Sequence, residues 1–205
     1  MSAEKPLFVG YDLDYMLLDT DKFFYDGVLP VLSEAFGLRA GVFRNQMNQF
    51  RRKFGPANDY DFFGHVAMLG LSPDEVEGVL TDKVKGDHLL RPGAKQLLEI
   101  QRANGSTEAI VTLGETRYQH FKVGSVPALE GIPVHAIREP KGPYMARMFP
   151  DEEGYHVDDQ EIHGQPAGIK HIQVISRKTR HAIEGAYSDI PDLLAHGPAD
   201  LVQLK

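Results

Sequence analysis

The sequence predicts an α/β protein: a parallel sheet with helices on both faces, interrupted after its first strand by an all-helical insertion. Three observations carry this. Short apolar runs of strand length alternate with helical stretches along the second half of the chain. A long segment near the start, residues 18–88, carries helical periodicity alone. Three of the apolar runs end on Asp12, Thr112 and Asp158. Ligands of open α/β sheets bind beyond the carboxyl ends of the strands, so these three residues are expected to share a site.

The elements follow in order. Leu7-Phe8-Val9-Gly10-Tyr11 reads as a buried strand ending on Asp12. Asp26 is expected to cap a helix with Val28, Leu32, Ala35 and Phe36 on one face, ended by Gly37. Phe43, Met47, Phe50 and Phe54 recur at helical spacing and should form the core of the insertion, with Arg44, Arg51, Arg52 and Lys53 off that stripe. Phe62, Val66 and Leu69 suggest a third helix. Ser72-Pro73-Asp74-Glu75 is a capping box with proline at the first helical position, and Val76, Val79 and Leu80 follow it. Pro92 opens a helix with Ala94, Leu97 and Leu98 inward, stopped near Gly105. Ala109–Val111 is a strand ending on Thr112. Further apolar runs lie at Val134–Ile137, Tyr155–Val157, Ile172–Ile175 and Leu201–Leu204, and all are read as strands. The sum is a Rossmann-like, three-layer core of residues 1–17 and 89–205, with a helical cap of residues 18–88.

Composition limits the function classes. The 205 residues are 42% hydrophobic and 25% charged, enough for a core without disulfides or a structural metal. The net charge of -7 gives no general attraction for nucleic acid or an anionic membrane, and neither is expected as a partner. No stretch approaches the roughly 20 apolar residues of a membrane span. MSAEKPLFVGYDLD lacks the apolar run of a signal peptide. Cysteine is absent, which excludes thiolate zinc sites and a cysteine nucleophile and fits a cytoplasmic protein.

The chemistry starts at Asp12-Leu13-Asp14. Where the chain turns at a strand end, two acids this close can flank one ligand. Close carboxylates need a cation or a shared proton, and Mg²⁺ suits all-oxygen ligands. Taken alone, such a pair is more often an ordinary acidic loop start. Three further features alter that weighting: the strand Ile110-Val111 ending in Thr112 and followed by Gly114, the lysine of Arg138-Glu139-Pro140-Lys141-Gly142, and Tyr155-His156-Val157-Asp158-Asp159, a second strand ending in two acids.

In this order the residues resemble the haloacid dehalogenase-like (HAD) phosphohydrolases. That superfamily's motifs are an apolar strand with DxDx(T/V), an apolar strand with Thr or Ser, a Lys, and an apolar strand with DD or GDxxxD. The run DLDYMLLD is similar to forms found in its Mg²⁺-dependent phosphatases, and Leu90-Arg91-Pro92-Gly93 to its entry into the helix before the second motif. The resemblance spans nearly the whole chain. It implies Asp12 as nucleophile, Asp14 as acid and base, Thr112 and Lys141 as ligands of the phosphoryl group, and Asp12, Asp14, Asp158 and Asp159 around Mg²⁺. Asp14 would serve the metal through its backbone carbonyl. A small phosphorylated substrate is implied, selected largely by the cap. Lys122 competes with Lys141 for the third motif; Lys141 is favoured because it follows the strand at Val134–Ile137. Either Asp158 or Asp159 could be the inner ligand. Met16 stands where the superfamily usually has Thr or Val, and Tyr15 where Gly is commoner.

Other readings differ in what they require. A haloacid dehalogenase would lack the second acid, Asp14. A phosphomutase would keep every motif and differ in its cap. A catalytically idle binding module on this fold would tolerate the departures at Tyr15 and Met16. The nine histidines, His156, His163 and His171 among them, show no helical zinc spacing and are expected at the surface or in packing. The run Arg51-Arg52-Lys53 could hold the far end of an anionic substrate, but is more often a solvated helix face.

Overall fold

A computed structural model of the chain describes residues 5–54 and 60–204, with residues 51–54 described by their backbone alone. Five parallel strands form one sheet: β1 (Phe8–Tyr11), β2 (Thr107–Leu113), β3 (Val134–Ile137), β4 (Gly154–Asp158) and β5 (Ile169–Gln173), in the order β3-β2-β1-β4-β5. The first strand is therefore the central one, paired to β2 and to β4. All of its residues are buried, as a central strand with both faces covered requires.

Alternation along the strands divides the core. Val9, Tyr11, Ile110, Val157 and Ile172 face one side. There they pack with Leu97 and Leu98 of α5 (Ala94–Ala103), Ile190 and Leu193 of α8 (Ile190–His196), and Leu201 of α9 (Ala199–Val202). Phe8, Ala109, Ile169, Val111 and Ile137 face the other side, against Phe149 and Met145 at α7 (Lys141–Met148). The result is the three-layer arrangement expected from the sequence.

Between β1 and β2 the described residues are mainly helical. A widened turn at Lys22–Val28 runs into α1 (Leu29–Phe36); then come α2 (Ala40–Phe54), α3 (Phe62–Met68) and α4 (Pro73–Lys83). The chain leaves and re-enters the sheet region side by side: Leu18 bridges Leu90, and the Asp19 amide donates to the Leu89 carbonyl at 2.9 Å. Phe43, Met47 and Phe50 are buried in the insertion, as their spacing predicts. Ser72 accepts from the Glu75 amide at 3.4 Å with Pro73 at the first position. The side chains of Arg51, Arg52, Lys53 and Phe54 lie outside the described residues.

Several boundaries differ from expectation. Asp26 caps nothing: it sits inside the helical run, which starts near Thr20, where Asp19 Oδ1 accepts from the Lys22 amide at 3.1 Å. Asp19 takes the cap because it directly precedes the first helical residue. Gly37 ends α1 as expected, with φ at 66°. The helix opened by Pro92 starts at Ala94. The last sheet strand covers Ile169–Gln173, shifted back from Ile172–Ile175. Leu201–Leu204 forms no strand: Pro198 and Asp200 start the short helix α9, and Leu201 and Val202 pack on α5 instead of extending an edge. Among the described residues, no helix is long and apolar enough to cross a membrane.

One buried histidine makes the insertion acid-sensitive. His65 is enclosed by Phe43, Phe50 and Tyr60, with ring centroids 4.7, 5.3 and 5.9 Å away, and Nδ1 is 2.7 Å from the Tyr60 hydroxyl. Burial pushes its pKa down to about 4. The unfolded chain then binds a proton that the folded chain refuses. Its contribution is intact above about pH 6.5 and erodes as pH falls towards 4, by up to roughly 3 kcal/mol in all. Urea unfolding across that range should show a shallower pH slope in His65→Gln, which cannot titrate and still offers Tyr60 an amide. An unchanged slope would remove His65 from the account.

Candidate active site

The carboxyl ends of β1, β2 and β4 meet at one point, and the acids gather there. Hydrogen bonding between strands holds Asp12 in place: its amide donates to the Val157 carbonyl at 2.9 Å. Asp12, Asp158 and Asp159 each offer a carboxylate oxygen, and these atoms all lie within 4.8 Å of one another. All three residues are buried. Lys141, the first residue of α7, reaches in between: Nζ is 2.7 Å from Asp12 Oδ1 and 2.7 Å from Asp158 Oδ2. Thr112, near the end of β2, is buried with no partner for Oγ1 among the described residues. An unpaired buried hydroxyl is costly unless a ligand uses it.

The electrostatics are unbalanced. Three buried carboxylates face one ammonium. Burial raises the Asp12 carboxyl well above the usual carboxylate range, and Asp158 and Asp159 push it further, against the pull of Lys141. Burial also raises Asp159, with repulsion from Asp158 adding to it. Burial opposes the charge on Asp158 too, but Lys141 and His156 outweigh it and hold that carboxyl well below the usual range. Lys141 stays charged despite burial because Asp12 and Asp158 flank it. A hard divalent cation between the acids would relieve this excess negative charge. All-oxygen donors at this spacing suit Mg²⁺ better than a softer metal.

Other groups hold the acids in position. His156 Nε2 lies 3.2 Å from Asp158 Oδ2, and the Gln160 amide donates to Asp158 Oδ1 at 2.8 Å. His156 stands over Gly10, where a Cβ would come within 2.7 Å of Nδ1; the glycine makes room for the ring. Asp159 accepts from Ser176 Oγ at 2.5 Å and Gln160 Nε2 at 2.9 Å.

Asp14 stands apart from this cluster. Tyr15 adopts φ 62°, the left-handed region that side chains with a Cβ rarely enter. Its amide donates to the Leu18 carbonyl at 3.0 Å, and its carbonyl accepts from Arg91 Nη1 at 2.5 Å. The turn aims the Asp14 carboxylate at helix α6 (Thr116–Gly124). There it accepts from Lys122 Nζ at 2.8 and 2.7 Å, from Gln119 Nε2 at 3.2 Å and from Thr20 Oγ1 at 2.8 Å. Burial opposes its charge, but these donors together keep its pKa below the usual value.

The two lysines therefore occupy different places: Lys141 on Asp12 and Asp158, Lys122 on Asp14. Met16 is fully buried in the core. Sequence reasoning missed Thr20, Gln119, Gln160 and Ser176, and it read His156 as packing. Gln119 and Lys122 lie one turn apart on α6, a spacing common on any helix, so no local signal marked them.

The fold is that of the HAD-like hydrolases. No family model and no curated protein matches the sequence. Among solved structures, a haloacid dehalogenase-like hydrolase from Burkholderia xenovorans LB400 superposes with a TM-score of 0.61 at 15% identity, covering 92% of this chain and 94% of the other. The HAD-hydrolase YfnB from Bacillus subtilis, in a magnesium-bound structure, gives 0.54 at 14% identity over 94% of this chain and 98% of its own. CbbY from Rhodobacter sphaeroides, in complex with phosphate, gives 0.54 at 16% identity over 97% and 100%.

Proposed function

We propose that the chain is a Mg²⁺-dependent phosphohydrolase that cleaves a small phosphomonoester through an aspartyl-phosphate on Asp12. The observation that carries this reading is Lys141 bridging Asp12 and Asp158, with Asp159 closing a buried cluster of acids at the strand ends. The magnesium in YfnB and the phosphate in CbbY, both on this fold, support it.

In this reading an Asp12 carboxylate oxygen attacks phosphorus and the ester P–O bond breaks. The leaving oxygen takes its proton from Asp14, which Lys122, Gln119 and Thr20 hold ionised in the free protein and which takes up a proton before this step. Water then attacks the phosphoryl group, gives a proton to Asp14, and the Asp12–phosphorus bond breaks, releasing inorganic phosphate. Lys141 donates to Asp12 and offsets the charge of the phosphate, and Thr112 Oγ1 supplies a further hydrogen bond to it. Asp12, Asp158 and Asp159 would hold Mg²⁺, with the Asp14 carbonyl as a further oxygen; when bound, the ion neutralises phosphate charge. Residues 18–88 act as a cap that covers the site and selects the substrate.

A panel of phosphate esters assayed with Mg²⁺ tests this. Wild type should release phosphate from at least one ester, and Asp12→Asn should lose at least about 10³-fold in activity while keeping its fold. Full activity in Asp12→Asn would sink the mechanism. Dependence on a bisphosphate primer would shift the reading to a phosphomutase.

A further inference from the structure

The segment Ser176-Arg177-Lys178-Thr179-Arg180 brings three cations into four residues of a chain whose net charge is -7. It follows β5 and is fastened to the acid cluster. Ser176 Oγ donates to Asp159 Oδ2 at 2.5 Å, and Thr179 Oγ1 donates to the Asp159 carbonyl at 2.8 Å. Gln160 Nε2 donates both to the Lys178 carbonyl at 3.0 Å and to Asp159 Oδ2 at 2.9 Å. The turn also closes on itself: the Ser176 amide donates to Thr179 Oγ1 at 2.8 Å, and the Lys178 amide to Ser176 Oγ at 3.0 Å. The backbone that carries the cations is therefore set beside Asp159 before any ligand arrives, which lowers the ordering cost of binding.

The three charges are used differently. Arg177 pairs with Asp21, at the start of the insertion, and Asp21 also accepts from the Tyr15 hydroxyl at 3.0 Å. Lys178 and Arg180 are exposed, and neither has a carboxylate partner among the described residues. Lys178 Nζ lies 5.7 Å from the centroid of the Tyr15 ring, and the Arg177 guanidinium 5.9 Å from it. Tyr15 directly follows Asp14, so these cations gather at the turn out of β1 as well as beside Asp159. Like charges held near one ring repel each other. Asp21 offsets one of them, and an anionic ligand beside the ring would offset the other.

We propose that this turn is a second anion subsite: the substrate is a phosphate ester that carries a further carboxylate or phosphate, bound by Lys178 and Arg180 beside Tyr15 while the reacting phosphoryl group lies at Asp12. This rests on the phosphohydrolase reading. It gives the core, and not the insertion alone, a share in choosing the substrate. A general attraction for anions would act through the summed charge of the protein, whichever cation was removed. A subsite depends on these two.

The experiment measures kcat/KM, with Mg²⁺ at fixed ionic strength, for butyl phosphate, 4-phosphooxybutanoate and butane-1,4-diyl bisphosphate, which differ at the far end of the chain. Wild type should favour at least one of the doubly anionic esters over butyl phosphate by about 10-fold or more, and the better of the two tells carboxylate from phosphate. Replacing both cations, Lys178→Met with Arg180→Met, should lower that preference about 10-fold. Lys178→Arg should retain most of it. Lys170→Met, which removes one charge at the amino end of β5, should leave it unchanged. No preference in wild type, no loss of it in the double variant, or an equal fall in Lys170→Met overturns the proposal while leaving the hydrolase reading intact. No phosphate release by wild type from any phosphate ester, or no effect of Asp12→Asn, overturns the hydrolase reading and this inference with it.

Discussion

Replacing Lys141 with methionine is expected to lower the unfolding free energy by about 3–5 kcal/mol near neutral pH, because it strands buried carboxylates without their cation. In wild type, Lys141 lies 2.7 Å from both Asp12 and Asp158. In a chain of this size, that loss corresponds to a fall in thermal midpoint of roughly 10 °C. The sign of the pH dependence follows from the same geometry. Without Lys141, both carboxyls rise in the folded state, which then holds protons that the unfolded chain has released above about pH 4. The deficit relative to wild type should shrink as pH falls, since protonation removes the repulsion that Lys141 had offset. Urea unfolding of both proteins near neutrality and near about pH 4.5 measures this. Activity should fall by about 10²-fold or more, the scale for removing one preorganised donor. A Lys141→Met protein as stable as wild type at neutral pH would mean that the acids do not depend on this lysine.

Magnesium is expected to raise the thermal midpoint, whatever the substrate proves to be. Asp12, Asp158 and Asp159 converge within 4.8 Å, and Asp12 is held above its usual range by burial and by the other two. A cation that occupies the cluster relieves that repulsion and binds the folded chain alone. At about 100 times its dissociation constant, it adds roughly 2.7 kcal/mol. For a chain of this length, that is a rise of about 5–10 °C. Affinity should increase with pH, because Asp12 must release its proton to act as a ligand. In Asp159→Asn the rise should largely disappear, while the bonds of Lys141 to Asp12 and Asp158 remain. Calorimetric scans with and without Mg²⁺ give the answer directly. An equal shift in Asp159→Asn and wild type would place the ion elsewhere.

The origin of each site residue explains how far the sequence could be read. Asp12, Thr112 and Asp158 were visible because each closes an apolar run of strand length, and parallel strands bring such ends to one edge. Lys141 was visible by its order after the run Val134–Ile137, but the competing Lys122 could not be assigned. Both lysines begin or line helices after a strand, and nothing in their neighbours states which acid each one meets. The fold separated them: α7 starts beside β1 and β4 and places Lys141 between Asp12 and Asp158, while α6 passes the turn at Tyr15 and places Lys122 on Asp14. Asp26 was misread as a cap because capping residues are common, and the deciding one, Asp19, depends on how the chain leaves β1. Leu201–Leu204 was misread as a strand because three apolar residues in a stretch of four carry no period of their own.

By itself the sequence determined the alternation of strands and helices, the helical nature of the long insertion and the acids at the ends of two strands. These are local properties, written in apolar period, capping residues and turn chemistry. Only the tertiary structure decided which charges meet. The pairing of Lys122 with Asp14 spans 108 residues, and that of Lys141 with Asp158 spans 17. Contacts of that kind depend on where whole elements pack, and packing depends on the summed burial of the core rather than on any pattern near the residues concerned.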